Sequence, residues 1–466
     1  MKSTIVKLLA LILAMVMSVF VAGCGEEEVE IVYQYEDESQ SASTDATTSE
    51  GDADTTTSTS STKKPGSKVE SVVNDNVNPA DYRGTTITYA TWRNPAQYED
   101  GPVVKAFEKK YGITVKVDLM TESEYTQKVL ANIQTQKSPD IYFSTYTFPY
   151  CIEALQPIDV AKLNLKESIW DQALIDLATV KGKTYLVDTI GNIWKDEDMI
   201  VYNKKIFRDA NIPTPEELQK AGNWNFDTMT QCMKKVAALG TDYVGGAVHL
   251  EGLIHSAGAS VIGYKDGKFY NGTQNSVTQE IMQWASTGLK EGWLGTTSIY
   301  EALNQFPSNK VGIAVLHSFS LKKTGYLRNM KASEIGFTTL PSYKGKEPTA
   351  TSFVRGWGIC KGAKNPVAAG IFLRYYLDVN NYDTGSAFIS KDAENFFFKL
   401  TSTSTKNKNF YFCYGSGVTG VTGKNSAVGD YIGAPASADP SQVIQTVKKY
   451  QGEIEADIAK LNAVLK

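Results

Sequence analysis

Histidine is the side chain most often used to move protons near neutral pH. It occurs only at His249, His255 and His317 in the 466 residues of this chain. No HExxH pair is present, so a zinc hydrolase lacks its motif. No GxSxG elbow presents a serine nucleophile. Gly415-Ser416-Gly417-Val418-Thr419-Gly420 has the glycine spacing of a dinucleotide loop. The adjoining Val421-Thr422-Gly423-Lys424-Asn425 is no helix opening, and a pyrophosphate needs one. Gly423-Lys424 also lacks the spacing and the hydroxyl residue of a P-loop. No EF-hand loop occurs, and no cofactor or metal is expected. The 51 Asp plus Glu leave a pair of catalytic carboxylates open. The conspicuous resource is aromatic: 25 Tyr, 18 Phe and 7 Trp, enough to line a cleft as well as a core.

Elements that could position such rings begin at Thr85-Thr86-Ile87-Thr88-Tyr89-Ala90, a β-branched and aromatic strand. A helix carries Val103, Val104, Phe107 and Tyr111 on one face and stops at Gly112. Thr114 to Leu119 alternates with period two, Tyr125, Val129 and Ile133 share a helical face, and Ile141 to Ser144 is a third strand. This β-α-β-α-β order implies a parallel sheet covered on both faces. Ligands of such sheets sit beyond the carboxyl ends of the strands. Trp92 follows the first strand there, and Tyr146 follows the third.

Further on, Met199 to Tyr202 and Val311 to Leu316 read as buried strands. Phe226 to Leu239, Val277 to Leu289 and Val367 to Leu377 read as helices. A last helix carries Val443, Val447, Tyr450, Ile454, Ile458, Leu461 and Leu465 on one face. Residues 400–440, rich in Gly, Ser, Thr and Lys, are expected to form an irregular insertion.

The amino terminus is of another kind. Lys2 and Lys7 precede an apolar run from Leu8 to Ala22, which is too short to span a bilayer and has the build of a secretory signal peptide. Val21-Ala22-Gly23-Cys24 resembles the lipobox of bacterial lipoproteins, which implies a diacylated Cys24 as the mature terminus and an anchor stable enough to last. Residues 1–23 are then the signal peptide and 24–80 a Ser/Thr/acidic linker, expected to be disordered because it cannot bury enough apolar surface. Cys24 to Ala80 carries a net charge of −10, so the remainder from Asp81 onward is +4 although the whole chain is −4. That small excess, without a dense Lys/Arg cluster, argues against nucleic acid. Cys151, Cys232, Cys360 and Cys413 are far apart, form no CxxC pair and are expected to be buried thiols.

The order of landmarks resembles the extracellular solute-binding proteins of ABC importers, in the branch that handles sugars and oligosaccharides. The landmarks are Phe107-Glu108-Lys109-Lys110-Tyr111, Ser138-Pro139-Asp140-Ile141 and Val201-Tyr202-Asn203-Lys204-Lys205-Ile206-Phe207. Trp224-Asn225-Phe226-Asp227, Lys310-Val311-Gly312-Ile313-Ala314, Gly336 to Pro341 and Gly356-Trp357-Gly358-Ile359 come next in turn. The resemblance spans nearly all of 81–466. It implies an α/β, two-lobed periplasmic-binding-protein-like fold (type II), with a cleft at the hinge that closes around ligand. The lobes are expected near 81–190 with 317–353, and 195–316 with 357–466. Carried over by position, the crossings fall near Asp188 to Asp198, Leu316 to Phe319 and Phe353 to Trp357.

A sugar offers C–H faces to an aromatic ring and hydroxyls to polar side chains. With the crossings so placed, the expected platforms are Trp92, Tyr146, Trp194, Phe319 and Trp357, and the polar contacts are Asp196, Glu197, His317 and Arg355. An Arg fork can hold neighbouring hydroxyls or an acidic sugar. The implied function is capture of a carbohydrate outside the cell and delivery to a permease, by a lipid-anchored protein for which a monomer suffices. A secreted glycoside hydrolase and a ligand-binding sensor subunit are the alternatives.

Overall fold

The computed structural model describes residues 77–121, 124–144, 147–402, 408–411 and 429–466. The leader 1–23, Cys24, the linker to residue 76, Tyr146, Cys413 and the glycine motif at 415–420 lie outside the described residues.

Twelve strands matter to the site. In chain order they are β1 Thr86–Thr91, β2 Thr114–Leu119, β3 Ile141–Ser144, β4 Leu155–Gln156, β5 Asp198–Asn203 and β6 Val244–Ala247. Then come β7 Leu294–Thr296, β8 Val311–His317, β9 Ile335–Thr338, β10 Ala350–Phe353, β11 Gly356–Cys360 and β12 Lys408–Tyr411. The first sheet has the order β2-β1-β3-β11-β4 and the second β7-β6-β8-β5-β9. β1 is parallel to β2 and β3, and β6 is parallel to β7 and β8. β11 runs antiparallel to β3, and β5 antiparallel to β8 and β9.

Strand periodicity divides each sheet between two cores. Ile87 and Tyr89 of β1 face the outer core of the first lobe, beside Phe107 and Phe372, while Ala90 faces the other way. Ile313 and Val315 of β8 join the apolar cluster that reaches both lobes, while Ala314 and Leu316 face the second lobe's outer core. This is the two-lobed α/β fold expected from the landmarks.

The helices form close to their expected limits. Gly101–Tyr111 ends at Gly112, whose φ of 65° is the left-handed conformation that favours glycine. Phe226–Ala237 opens with a capping box in which Asn225 and Thr228 satisfy each other's backbone N–H groups. The expected single terminal helix is two, Val443–Lys449 and Gln451–Val464, which part at Tyr450 just before Gly452, a poor helix residue. Cys151, Cys232 and Cys360 are buried free thiols.

Three boundaries need correction. The linker stops short of residue 80, because Val77 is buried in the first lobe's outer core and Pro79–Tyr82 is a 3-10 turn capped by Asn78. Residues 317–353 do not belong to the first lobe: β9 pairs with β5 in the second sheet. Residues 357–466 do not all belong to the second: β11 pairs with β3, and helix Pro366–Tyr376 packs into the first lobe's core. The crossing expected at Leu316 to Phe319 is instead the end of β8, and the chain next changes lobe between β10 and β11. It changes again between Tyr382 and Ala387, because Tyr382 packs in the first lobe's outer core and Ala387 and Phe388 in the second's. Within the expected insertion at 400–440, β12 pairs in parallel with β10, while residues 403–407 and 412–428 lie outside the described residues.

Candidate functional site

The wall contributed by the first lobe is an aromatic stack. Trp92, half-buried just beyond β1, lies 5.2 Å from Phe143 with its ring nearly parallel. Phe143 in turn stacks on Trp357 at 4.2 Å. Tyr125 braces the stack from the adjacent helix, its hydroxyl donating to the Ala90 carbonyl and accepting from the Phe143 N–H. Trp357 departs from expectation. It is 1% exposed, packs against Tyr376, and its Nε1–H donates to the Tyr89 hydroxyl. It lies in mid-strand rather than at a crossing, so its side chain is a core support for Phe143.

The first crossing is built differently. Asp188 accepts from the Thr189 N–H and from Asn192 Nδ2, and Asn192 Oδ1 accepts from the Trp194 N–H. These bonds fix the approach of Trp194, whose ring is buried between two cationic side chains. The Arg93 guanidinium carbon is 3.3 Å from the ring centroid and Lys322 Nζ is 2.5 Å from it. Groups that close leave room only on opposite faces. Arg93 comes from the first lobe, one residue after Trp92. Lys322 comes from the second, after the 3-10 turn Ser318–Leu321. Tyr98 meets the same indole edge-on.

Around this ring, polar atoms are buried without hydrogen-bond partners among the described residues. They are Arg93 Nη2, Glu99 Oε2, Trp194 Nε1, Ser320 Oγ, Lys322 Nζ and Arg355 Nε and Nη2. Buried polar groups are ordinarily satisfied, because each orphan costs about 1–3 kcal/mol. Burial pulls the Lys322 amine well below its ordinary range. Arg355 does hold Asp196 through one nitrogen, at 3.2 Å. Burial pushes the Asp196 carboxyl up, Arg355 offsets part of this, and the result is about 6. The two lobes touch directly here, since Thr324 Oγ1 donates to Glu99 Oε1 at 2.6 Å.

Glu197 belongs to a separate network. Lys195 Nζ contacts Asp171 at 2.7 Å and Asp188 at 3.2 Å; Lys408 Nζ contacts Asp171 at 3.2 Å and Glu197 at 2.8 Å. Burial pushes Asp171 up, but the two lysines overcome it and hold its carboxyl well below the usual range. The alternating charges tie β12 to the crossing. Beside them a cavity of about 450 Å³ opens, lined by Asp176 and Leu177 of the first lobe, His255, Tyr264 and Tyr270 of the second, and Phe410 of β12.

His317 and Phe319 stand together at the end of β8, rings 5.6 Å apart. Of the expected site residues, Trp194, Asp196 and Arg355 therefore lie at the junction of the lobes with Arg93, Glu99 and Lys322; Trp92 adjoins Arg93 in the chain, and Phe319 lies in the turn that leads to Lys322. Sequence reasoning missed Arg93, Glu99 and Lys322. Arg93 adjoins a residue already singled out. Lys322 comes directly after an apolar and serine stretch, Ser318-Phe319-Ser320-Leu321, where a charge is out of keeping with its neighbours.

Residues 84–379 match the family described as bacterial extracellular solute-binding protein. The chain belongs to this family. Its fold recurs in an extracellular solute-binding protein from Staphylococcus aureus solved with maltose, at 15% identity and a TM-score of 0.58, covering 81% of this chain and 99% of that one. It recurs in the galacto-N-biose-/lacto-N-biose I-binding protein of the Bifidobacterium longum ABC transporter, solved with lacto-N-biose, at 14% identity and a TM-score of 0.60, covering 81% and 98%. An ABC transporter solute-binding protein from Agrobacterium vitis with bound D-mannitol is similar at 18% identity and a TM-score of 0.56, covering 81% and 99%. At these identities the likeness shows the fold. No curated protein matches the sequence. The family is one of binding proteins that act outside the cytoplasm, and no helix among the described residues is long and apolar enough to cross a membrane.

Proposed function

We propose that this chain captures a carbohydrate at the junction of its two lobes and delivers it, unchanged, to the membrane subunits of an ABC importer. A lipid on Cys24 holds it at the outer face of the cell membrane. The observation that carries the reading is the set of orphaned polar atoms around the Trp194 ring. Unpartnered donors and acceptors gathered where the two lobes meet suit a molecule with many hydroxyls. The contributors come from both sides: Trp92, Arg93 and Glu99 from the first lobe, Phe319, Ser320 and Lys322 from the second, Trp194, Asp196 and Arg355 from the crossings. A ligand favours closure only through contacts that both lobes make. The sugar and polyol ligands of the similar structures support the same class.

Hydrolysis is the less favoured chemistry. A glycosidase sets two carboxylates across a scissile bond. Here Asp196 is engaged by Arg355 and Ser352, and its neighbour Glu197 by Lys408. The test is a panel of mono- and oligosaccharides, neutral and acidic, followed by thermal shift and tryptophan fluorescence. One or more sugars should raise the melting temperature and be recovered intact. Turnover of the sugar would assign an enzyme, and a panel without any shift would remove carbohydrate as the ligand.

A further inference from the structure

We infer that the second lobe carries a divalent-cation site of the zinc class, formed by Asp198, His249 and His317 at the crossing end of its sheet. Histidine is scarce in the sequence, and that scarcity argues against metal. The structure gathers two of the three histidines onto one carboxylate. Asp198 opens β5 and stands opposite His317, the last residue of β8. His249 comes from the turn after β6, just before helix Leu250–Ser256. All three residues are buried. One donor atom from each lies within 4.8 Å of the other two.

The donors are of the right kind and lie close together. Asp198 Oδ1 is 2.8 Å from His249 Nδ1 and 3.6 Å from His317 Nε2. Zinc bonds of about 2.0–2.2 Å to nitrogen and oxygen put tetrahedral donors about 3.3 Å apart. Seating an ion therefore asks for shifts on the order of an ångström. Both imidazoles approach the same carboxylate oxygen, with ring centroids 5.3 Å apart. A metal uses both as neutral donors. Three protein donors leave the fourth position to an oxygen from water or from a bound solute.

The surroundings hold the donors in place. Thr351 Oγ1 donates to Asp198 Oδ2 at 2.7 Å, which leaves Oδ1 for the ion, the usual outer-shell device. Gly252 runs so close that a Cβ there would sit 2.4 Å from Asp198 Oδ2. The Phe353 ring packs against both imidazoles.

The inference stands apart from the carbohydrate reading. The full-length chain, purified in detergent and stripped with EDTA, should be titrated with Co2+ and then with Zn2+. One equivalent of Co2+ should give the visible absorption of a low-coordinate cobalt–histidine centre, Zn2+ should abolish it, and either ion should raise the melting temperature. His249→Gln and His317→Gln should each weaken Co2+ binding at least tenfold. A wild-type chain that shows no saturable cobalt band overturns the inference, whatever the variants do. So does a one-equivalent band that survives in a folded His249→Gln/His317→Gln double variant.

Discussion

The two aromatic walls of the junction differ in how well their polar atoms are satisfied. In the first lobe, Trp92, Phe143 and Trp357 stack in order, and the hydroxyl and indole groups of Tyr125 and Trp357 all find partners. At the crossing, Trp194 is buried as deeply as a core residue, yet among the described residues its Nε1, Arg93 Nη2 and Lys322 Nζ have no hydrogen-bond partner. The same residue type thus serves two ends. A satisfied tryptophan is scaffold; under the proposed function, one left unsatisfied between two lobes is where a ligand would be held.

The sharpest way to break the comparison is through the charges that hold the crossing. Lys408→Met leaves Asp171 and Glu197 short of a buried partner, and loss of one member of such a set costs about 3–5 kcal/mol. Its melting temperature should fall well below that of wild type in calorimetry. Next in size, Arg355→Ala removes the partner of Asp196 together with the open Nε and Nη2. Affinity for the sugar found by the panel should fall about tenfold or more by titration calorimetry, with a smaller change in melting temperature. Trp92→Ala, at the exposed end of the satisfied stack, should weaken binding by less than Arg355→Ala.

The smallest effect is one of pH. The folded-state Asp196 carboxyl titrates near 6, above its ordinary 3.8. Below the lower value both the folded and the unfolded chain hold the proton. Between the two values the unfolded chain has released it and the folded one has not, so this group's contribution favours unfolding increasingly as pH rises and levels off above about 6. Asp196→Asn should remove that dependence. The gap in melting temperature between variant and wild type should then shift toward the variant as pH rises from 4 to about 7. A constant gap would place the Asp196 carboxyl in an ordinary environment.

Local signals carried much of the fold. Period-two runs, caps such as Asn225 and stops such as Gly112 act over a few residues, and they placed the strands and helices. Which lobe a strand joins is decided by pairing over long separations, as with β9 on β5 and β11 on β3, and no local pattern records that. The site divides in the same way. Trp92 and Trp194 were singled out because they follow a strand or lie in a crossing, and the structure places them just beyond β1 and in the first crossing. Trp357 was misread because the expected crossing runs one step too far along the chain. Lys322 and Lys408 were invisible because a lysine's burial depends on elements far away in sequence.

The proposed function turns on the solute depending more on the Trp194 crossing than on the buried end of the first-lobe stack. Titration calorimetry of the tightest sugar against wild type, Trp194→Ala and Trp357→Phe tests it most directly. Trp194→Ala should lose about 2 kcal/mol or more, some thirtyfold in affinity, while Trp357→Phe binds within a few-fold of wild type. Wild-type affinity in a folded Trp194→Ala chain would contradict the claim.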